Sequence, residues 1–208
     1  MENLLRQSYT ANYNLPPCMD GEFVFTTNNS HFELKDDSTV IYKNNGVSKF
    51  SNPTNKTITV INYETFVNQL SHRFRQDRNV CDLIVISDNN GHFILSELTD
   101  THSKYINPYI NTKGHQIGKR AKAQEQLLKT LIDLLAVPQI FEKIKKYSVK
   151  QCCFFNKQSM APSPINASSA FSRLNSLYPN GFKMTNLQIE ANDFEYYEFS
   201  YNQTFNMQ

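Results

Sequence analysis

The stretch CDLIVISDNNGHFILSELTDT, Cys81 to Thr101, decides how the fold is read. In DLIVIS the apolar residues run on without polar alternation, and HFILSELT does the same after the Asp88-Asn89-Asn90-Gly91 turn. Such runs predict two central strands covered on both faces, joined as an antiparallel hairpin. Each strand also carries one carboxylate, Asp82 and Glu97. Burying a carboxylate is costly unless it is paired or holds a cation, so both acids need a reason. About that turn, positions whose numbers sum to about 179 face each other. Asp82 is therefore expected opposite Glu97, with Cβ atoms about 4.5 to 5.5 Å apart, close enough to share a divalent cation.

Working outward, TyrGluThrPheValAsnGlnLeuSerHisArgPhe, Tyr63 to Phe74, spaces Phe66, Val67, Leu70 and Phe74 as on a helix just before the hairpin. Residues 1 to 62 alternate short β-type runs with Asn-rich turns and predict antiparallel strands. After the hairpin, a loop with Pro108 and Gly114 leads to the longest helical pattern, Ile117 to Val137, stopped near Pro138. A shorter helix, Ile140 to Ser148, precedes VKQCCFFN, a third buried-type strand that reaches the hairpin only by crossing over through the helices. The fold class is α/β (α+β), a sandwich with β-rich N- and C-terminal additions. Three regions follow: 1–62, a β-rich part packed on the core; 63–157, the core; and 158–208, a Ser/Pro/Asn loop plus a β-rich extension. The aromatic-rich end of that extension, DFEYYEFSYNQTF, reads as an extra sheet element or a surface for a protein partner.

Hydrophobic residues make up 39% of the 208 residues and charged ones 19%, as in a globular chain. No apolar run of about 18 residues exists, so no membrane span is expected. MENLLRQSYTANYN lacks the pattern of a secretory signal, so the expected location is cytoplasmic. Its excess of Asn, Lys, Ile, Tyr and Phe suggests an AT-rich bacterial or phage genome. The cysteines Cys18, Cys81, Cys152 and Cys153 lack metal-ligand spacing, and the last two look like small core residues. The net charge of +2 is uneven. Residues 113 to 157 hold ten Lys/Arg against three Asp/Glu, a net of +7, and such a block suits a phosphate backbone or the solvated faces of two helices.

The two opposed acids, the helix before them and the crossover after them resemble the PD-(D/E)XK, or restriction-endonuclease-like, nuclease superfamily over roughly residues 63 to 156. The resemblance implies an αβββαβ core in which Asp82 on the second strand and Glu97 on the third hold Mg²⁺ (or Mn²⁺), with Glu64 as a further ligand from the first helix. It also implies a helix residue facing the site, for which Gln124 is the match. Helical geometry places Gln124 as the single polar member of a buried stripe formed with Ile117, Ala121, Leu128, Leu131 and Leu135. The family's lysine, two residues after the acid, is Thr99 here. Arg120, or the loop residues Lys104 and Lys113, would have to supply its charge.

Two functions stay open. One is a metal-dependent nuclease, with Asp82, Glu97, Thr99 and Gln124 at the catalytic site and Lys113, Lys119, Arg120 and Lys122 holding nucleic acid, DNA favoured over RNA. It would suit a bacterial phage-defence or restriction-type system. The other is a catalytically degenerate nuclease fold serving as a nucleic-acid-binding or assembly subunit of a complex.

Overall fold

A computed structural model of the chain describes residues 1–18, 21–35, 38–41 (backbone only), 46–76, 78–101, 105–157, 180–200 and 203–208. The chain opens with a helix, α1, that is π-helical over Leu4–Tyr9 and α-helical over Thr10–Asn12. Leu5 and Tyr9, one turn apart, are fully buried and set its inner face. Four short strands follow, β1 (Val24–Thr27), β2 (His31–Lys35), β3 (Ser38–Ile41) and β4 (Ser48–Ser51). Then β5 (Ile58–Asn62) runs into α2 (Tyr63–Asn68), whose N-cap Asn62 accepts the Thr65 N–H through its side chain at 2.7 Å. The expected helix to Phe74 is broken: Ser71 caps a new short helix, α3 (His72–Arg75).

The hairpin forms as expected. β6 (Leu83–Ser87) and β7 (His92–Thr99) pair antiparallel, Leu83 facing Ser96 and Ile86 facing Phe93, and every residue of both strands is buried. Positive φ in the turn falls on Asn89 and Asn90, residues that tolerate the left-handed region, and not on Gly91. Beyond it lie the ribbon β8 (Tyr109–Asn111) and β9 (Gly114–Gln116), then α4 (Gly118–Leu135) and α5 (Pro138–Ile144). Gly118 opens α4 at a φ of +79°, and a Cβ there would strike the backbone carbonyl of Asn107, so only glycine fits. β10 (Val149–Asn156) then lies parallel to β7. The chain ends with β11 (Phe182–Met184), α6 (Leu187–Glu190), β12 (Glu195–Phe199) and β13 (Phe205–Asn206).

The protein is mixed α/β. A seven-stranded sheet has the order β1-β5-β6-β7-β10-β12-β11, and a smaller sheet has the order β13-β4-β2-β3. Side chains alternate between two cores along the large sheet. Ile84, Ile86, Phe93, Leu95, Cys152, Phe154 and Tyr196 face the helices; Leu83, Val85, Ile94, Leu98, Cys153, Phe155 and Phe199 face the smaller sheet. The adjacent cysteines 152 and 153 thus fill opposite cores. β1 and β5, from the first 62 residues, and β11 and β12, from the C-terminal region, are all strands of the large sheet. The sequence also has a short helical pattern at 170–178, AFSRLNSLY, which lies outside the described residues. Among the described residues no helix is long and apolar enough to cross a membrane.

One expectation needs correction. The buried stripe of α4 is Ala123, Leu127, Thr130, Leu131 and Leu134, roughly a quarter turn from the one read from the sequence. Ile117 is 51% exposed and Ala121 is exposed. Thr130, polar in the sequence, is buried in that stripe, where its hydroxyl accepts the Cys81 N–H at 2.9 Å just before β6. Of the two readings of the aromatic C-terminal run, the extra sheet element is seen: β12 lies between β10 and β11, paired on both sides.

Candidate functional site

The antiparallel ladder ends with Leu83 facing Ser96, so Asp82 and Glu97 are the next residues along the two chains at that end of the hairpin. Asp82 stands where β6 begins, and its carbonyl accepts the Tyr63 and Glu64 N–H groups at 2.9 and 3.2 Å, bringing the start of α2 to the same end of the sheet. Its carboxylate Oδ2 accepts the Leu98 N–H at 2.6 Å, continuing the ladder with a side chain where the strand stops. Glu97, 9% exposed, follows Phe93 and Leu95 onto the helix-facing side. Both acids lie close enough to Cys81 to matter: burial pushes that thiol well up, and the charges of Glu97 and then Asp82 push it further.

The other expected residues distribute around this pair. Glu64 is exposed in the first turn of α2. Among the described residues no group of three or more His, Cys, Asp or Glu side chains is placed to hold a metal ion, so Glu64 is not gathered with Asp82 and Glu97 into a three-ligand set. Thr99 is buried at the end of β7, and its hydroxyl donates to the Thr101 hydroxyl at 2.9 Å. Gln124 is half-buried at the flank of the inner face of α4, on the side of the Tyr196 hydroxyl. Lys113, Lys119 and Lys122 are exposed; Lys104 lies outside the described residues.

Arg120 is half-buried and engaged. Its Nε donates to both carboxylate oxygens of Glu198, at 2.9 and 2.8 Å, and its Nη1 donates to the Asn107 side chain. Glu198 also accepts from the Tyr196 hydroxyl at 3.1 Å. Burial, with the Glu198 charge adding to it, pushes that hydroxyl well up, so it stays a donor. Sequence reasoning missed Glu198, the third carboxylate on this row. Glu97 faces Phe154 on β10, and Phe154 faces Glu198 on β12, which sets the two acids two strands apart, about 9.5 Å across the sheet. The signal was the alternation Phe194, Tyr196, Glu198, which puts the acid on the same face as two core rings.

The donor set of the Asp82–Glu97 pair, carboxylate oxygen on adjacent strands, suits a hard divalent cation that takes its other ligands from water or phosphate. The arrangement defines a mixed-sheet α/β protein with an acidic pair at one sheet end, beneath the helix that follows the hairpin. The chain matches no protein-family model, no curated protein and no solved structure.

Proposed function

We propose that the protein is a divalent-metal-dependent, nuclease-like phosphodiesterase acting on nucleic acid, with DNA favoured over RNA. The observation that carries this reading is that Asp82 and Glu97 flank the β6–β7 hairpin at one end of the sheet, Asp82 directly preceding β6 and accepting the N–H of Leu98, the residue after Glu97. β5, β6 and β7 pair antiparallel and β10 joins β7 in parallel after a helical crossover, whereas α2 and α3 fall between β5 and β6 in the chain, so the element order departs from αβββαβ at its first helix. Asp82 and Glu97 would hold Mg²⁺ or Mn²⁺; when bound, such an ion neutralises phosphate charge and makes its bound water more acidic.

The chain's own groups supply the rest. Residues 105 to 122 contain Lys113, Lys119, Arg120 and Lys122 and no Asp or Glu. The three exposed lysines of the ribbon and first turns of α4 give a cationic surface for a phosphate backbone, without a means of reading sequence.

A non-enzymatic binding or assembly subunit is the second reading. It is favoured by the engagement of Arg120 with Glu198 and by the neutral Thr99 at the motif-lysine position.

The test is calorimetry of Mg²⁺ and Mn²⁺ binding alongside cleavage of single- and double-stranded DNA and RNA, comparing wild type with Asp82→Asn and Glu97→Gln. Asp82→Asn keeps an acceptor for the Leu98 N–H, so folding is preserved. Loss of metal heat and a fall in cleavage of at least ~100-fold is expected in each variant. Full cleavage by Asp82→Asn would overturn the site. A wild type that binds nucleic acid but neither metal nor cleaves would establish the second reading instead.

A further inference from the structure

A cleft of about 750 Å³ opens where the chain after α1, the short helix α3 and the solvent side of α4 meet; Arg73, Phe74, Arg78, Lys129, Ile132 and Asp133 are among its walls. Its size is that of a small-molecule site. Asp82 and Glu97 are not among the described walls, so the cleft is separate from the acidic pair.

One wall residue is fixed in place before any ligand arrives. The Arg78 guanidinium carbon Cζ lies 3.9 Å from the ring centre of Phe74 and 4.6 Å from that of Tyr13, and Arg78 Nη1 donates to the Asp133 carboxylate. The Tyr13 hydroxyl donates to the Asp133 carbonyl oxygen at 3.0 Å, so the ring and the acid that hold Arg78 also hold each other. Fixing a long side chain in advance removes entropy that it would otherwise lose on binding. A guanidinium carries five N–H groups in a flat fork, and Asp133 is met by Nη1 alone; Nε and Nη2 form no hydrogen bond with a described residue. The Arg78 side chain keeps 22% of its surface exposed, so solvent still reaches it.

Two further cations share the cleft. Arg73 is exposed and has no ion pair among the described residues. Lys129 pairs with Glu125 one turn away, but both side chains are nearly half exposed, so that pair is weak and opens readily. Three cations thus stand against one carboxylate, Asp133, a net of +2 among the described walls. A phosphate monoester carries a charge of about −1.5 to −2 near pH 7 and three strong acceptor oxygens, more of both than a carboxylate. The remaining walls are mixed: Ile132 is 52% exposed, and Asn14 and Asn79 are exposed amides. Apolar and amide surface side by side suits a nucleoside, which has apolar ring faces and hydrogen-bonding edges.

We propose that this cleft binds the phosphate monoester of a nucleotide, free or at the end of a nucleic-acid strand. Arg78 and Arg73 donate to the phosphate oxygens, Lys129 adds charge, and the nucleoside lies toward Ile132. Asp133 is a positioning residue that holds Arg78. The site operates whether or not the acidic pair cleaves.

The test is calorimetry of the full chain without divalent metal, so that cleavage at the acidic pair plays no part. The probes are adenosine and cytidine monophosphates against their nucleosides, and a single-stranded oligonucleotide with a 5′ phosphate against the same strand with a 5′ hydroxyl. At least one phosphorylated probe should bind tenfold or more tightly than its counterpart. A preference confined to the mononucleotides identifies a free nucleotide as the ligand, and one larger for the oligonucleotide identifies the strand end. Arg73→Gln, at an exposed position, and Arg78→Lys, which keeps the charge but loses the fork, should each reduce the preference severalfold. Lys35→Gln, which removes one charge from the distant strand β2, should leave it unchanged. Melting curves identify any loss caused by unfolding, and Arg73→Gln gives an independent reading if Arg78→Lys does not fold. Equal binding of every phosphorylated probe and its counterpart overturns the proposal. So does a preference that survives in both arginine variants, or one that falls equally in Lys35→Gln, because net charge and not this cleft would then be responsible.

Discussion

Replacing Arg120 by Met should weaken the fold measurably, because it leaves the Glu198 carboxylate without its cation. The side chain of Glu198 is 8% exposed and that of Arg120 32%, so the carboxylate is the member of the pair that burial penalises. Removing one partner of a buried pair costs about 3–5 kcal/mol, and the partial exposure of Arg120 brings the expectation here to about 2–3 kcal/mol. For a chain of this size that corresponds to a fall in melting temperature of roughly 5–10 °C. The Tyr196 hydroxyl still donates to Glu198 in the variant, so the carboxylate keeps one hydrogen bond and the loss stays below the upper limit. Glu198→Gln removes the charge that needs compensating, so the double variant should cost less than the sum of the singles, with a coupling of about 1–2 kcal/mol. Urea denaturation of the four proteins measures the cycle. Additive losses, or a melting shift below about 2 °C for Arg120→Met, would refute the view that Arg120 is a structural tie between α4 and β12.

Two further outcomes follow from burial. His92 is buried against Ser87, and burial first, then Lys56, makes it harder to protonate than its ordinary value of 6.5. Below pH 6.5 the unfolded chain takes up a proton that the folded chain resists, so stability should decline from pH 6.5 down to the lower folded value; His92→Gln should flatten that part of the curve, and an unchanged pH profile in denaturation midpoints would count against it. Burial also pushes the thiols of Cys81, Cys152 and Cys153 well up, whereas Cys18 is half-buried. A colorimetric disulfide reagent at pH 8 should therefore consume one thiol quickly and the other three only in denaturant; two or more fast thiols would contradict the packing.

Much of the fold was legible wherever the signal was local. The unalternating runs Leu83–Ser87 and His92–Thr99 announced strands covered on both faces, and both are buried throughout. The turn at 88–91 fixed their register to the residue. The helical spacing of the first twelve residues went unread because Leu5 and Tyr9 are its only fully buried apolar residues, too few for a periodic signal. The stripe of α4 was misplaced for a different reason. Leu128, Ile132 and Leu135 look like core by hydrophobicity, yet the sheet selects Ala123 and Thr130, the first by size and the second by a hydrogen bond, neither of which an apolar pattern encodes. In the second sheet, which covers the far face, β2, β3 and β4 fall among the strands expected in residues 1 to 62, whereas β13 joins β4 from residues 205–206, a pairing no local pattern announces.

The same contrast governs the site. Asp82 and Glu97 flank one hairpin, 15 residues apart, so arithmetic on the turn sufficed to expect them at the same end of the sheet. Glu198 joins their row through the parallel pairing of β10 with β12, which no tight turn specifies, so its charge could not be included in a reading of the hairpin. That omission alters the chemistry ascribed to α4. With two acids on the row, Arg120 looks available to the Asp82–Glu97 pair; with three, its Nε is bound to the third, two strands away. Thr99 carries no charge, and Lys119 and Lys122 are exposed on the outer side of α4. For a cation to serve the acidic pair, the connection between β7 and α4 offers Lys104 and Lys113 in the sequence, the end of β10 offers Lys157, and a bound metal ion is the alternative. Neutralising Lys113 should then lower cleavage at saturating substrate if the lysine reaches the phosphate, and weaken only binding if it remains on the cationic ribbon surface, a distinction read directly from kcat against KM.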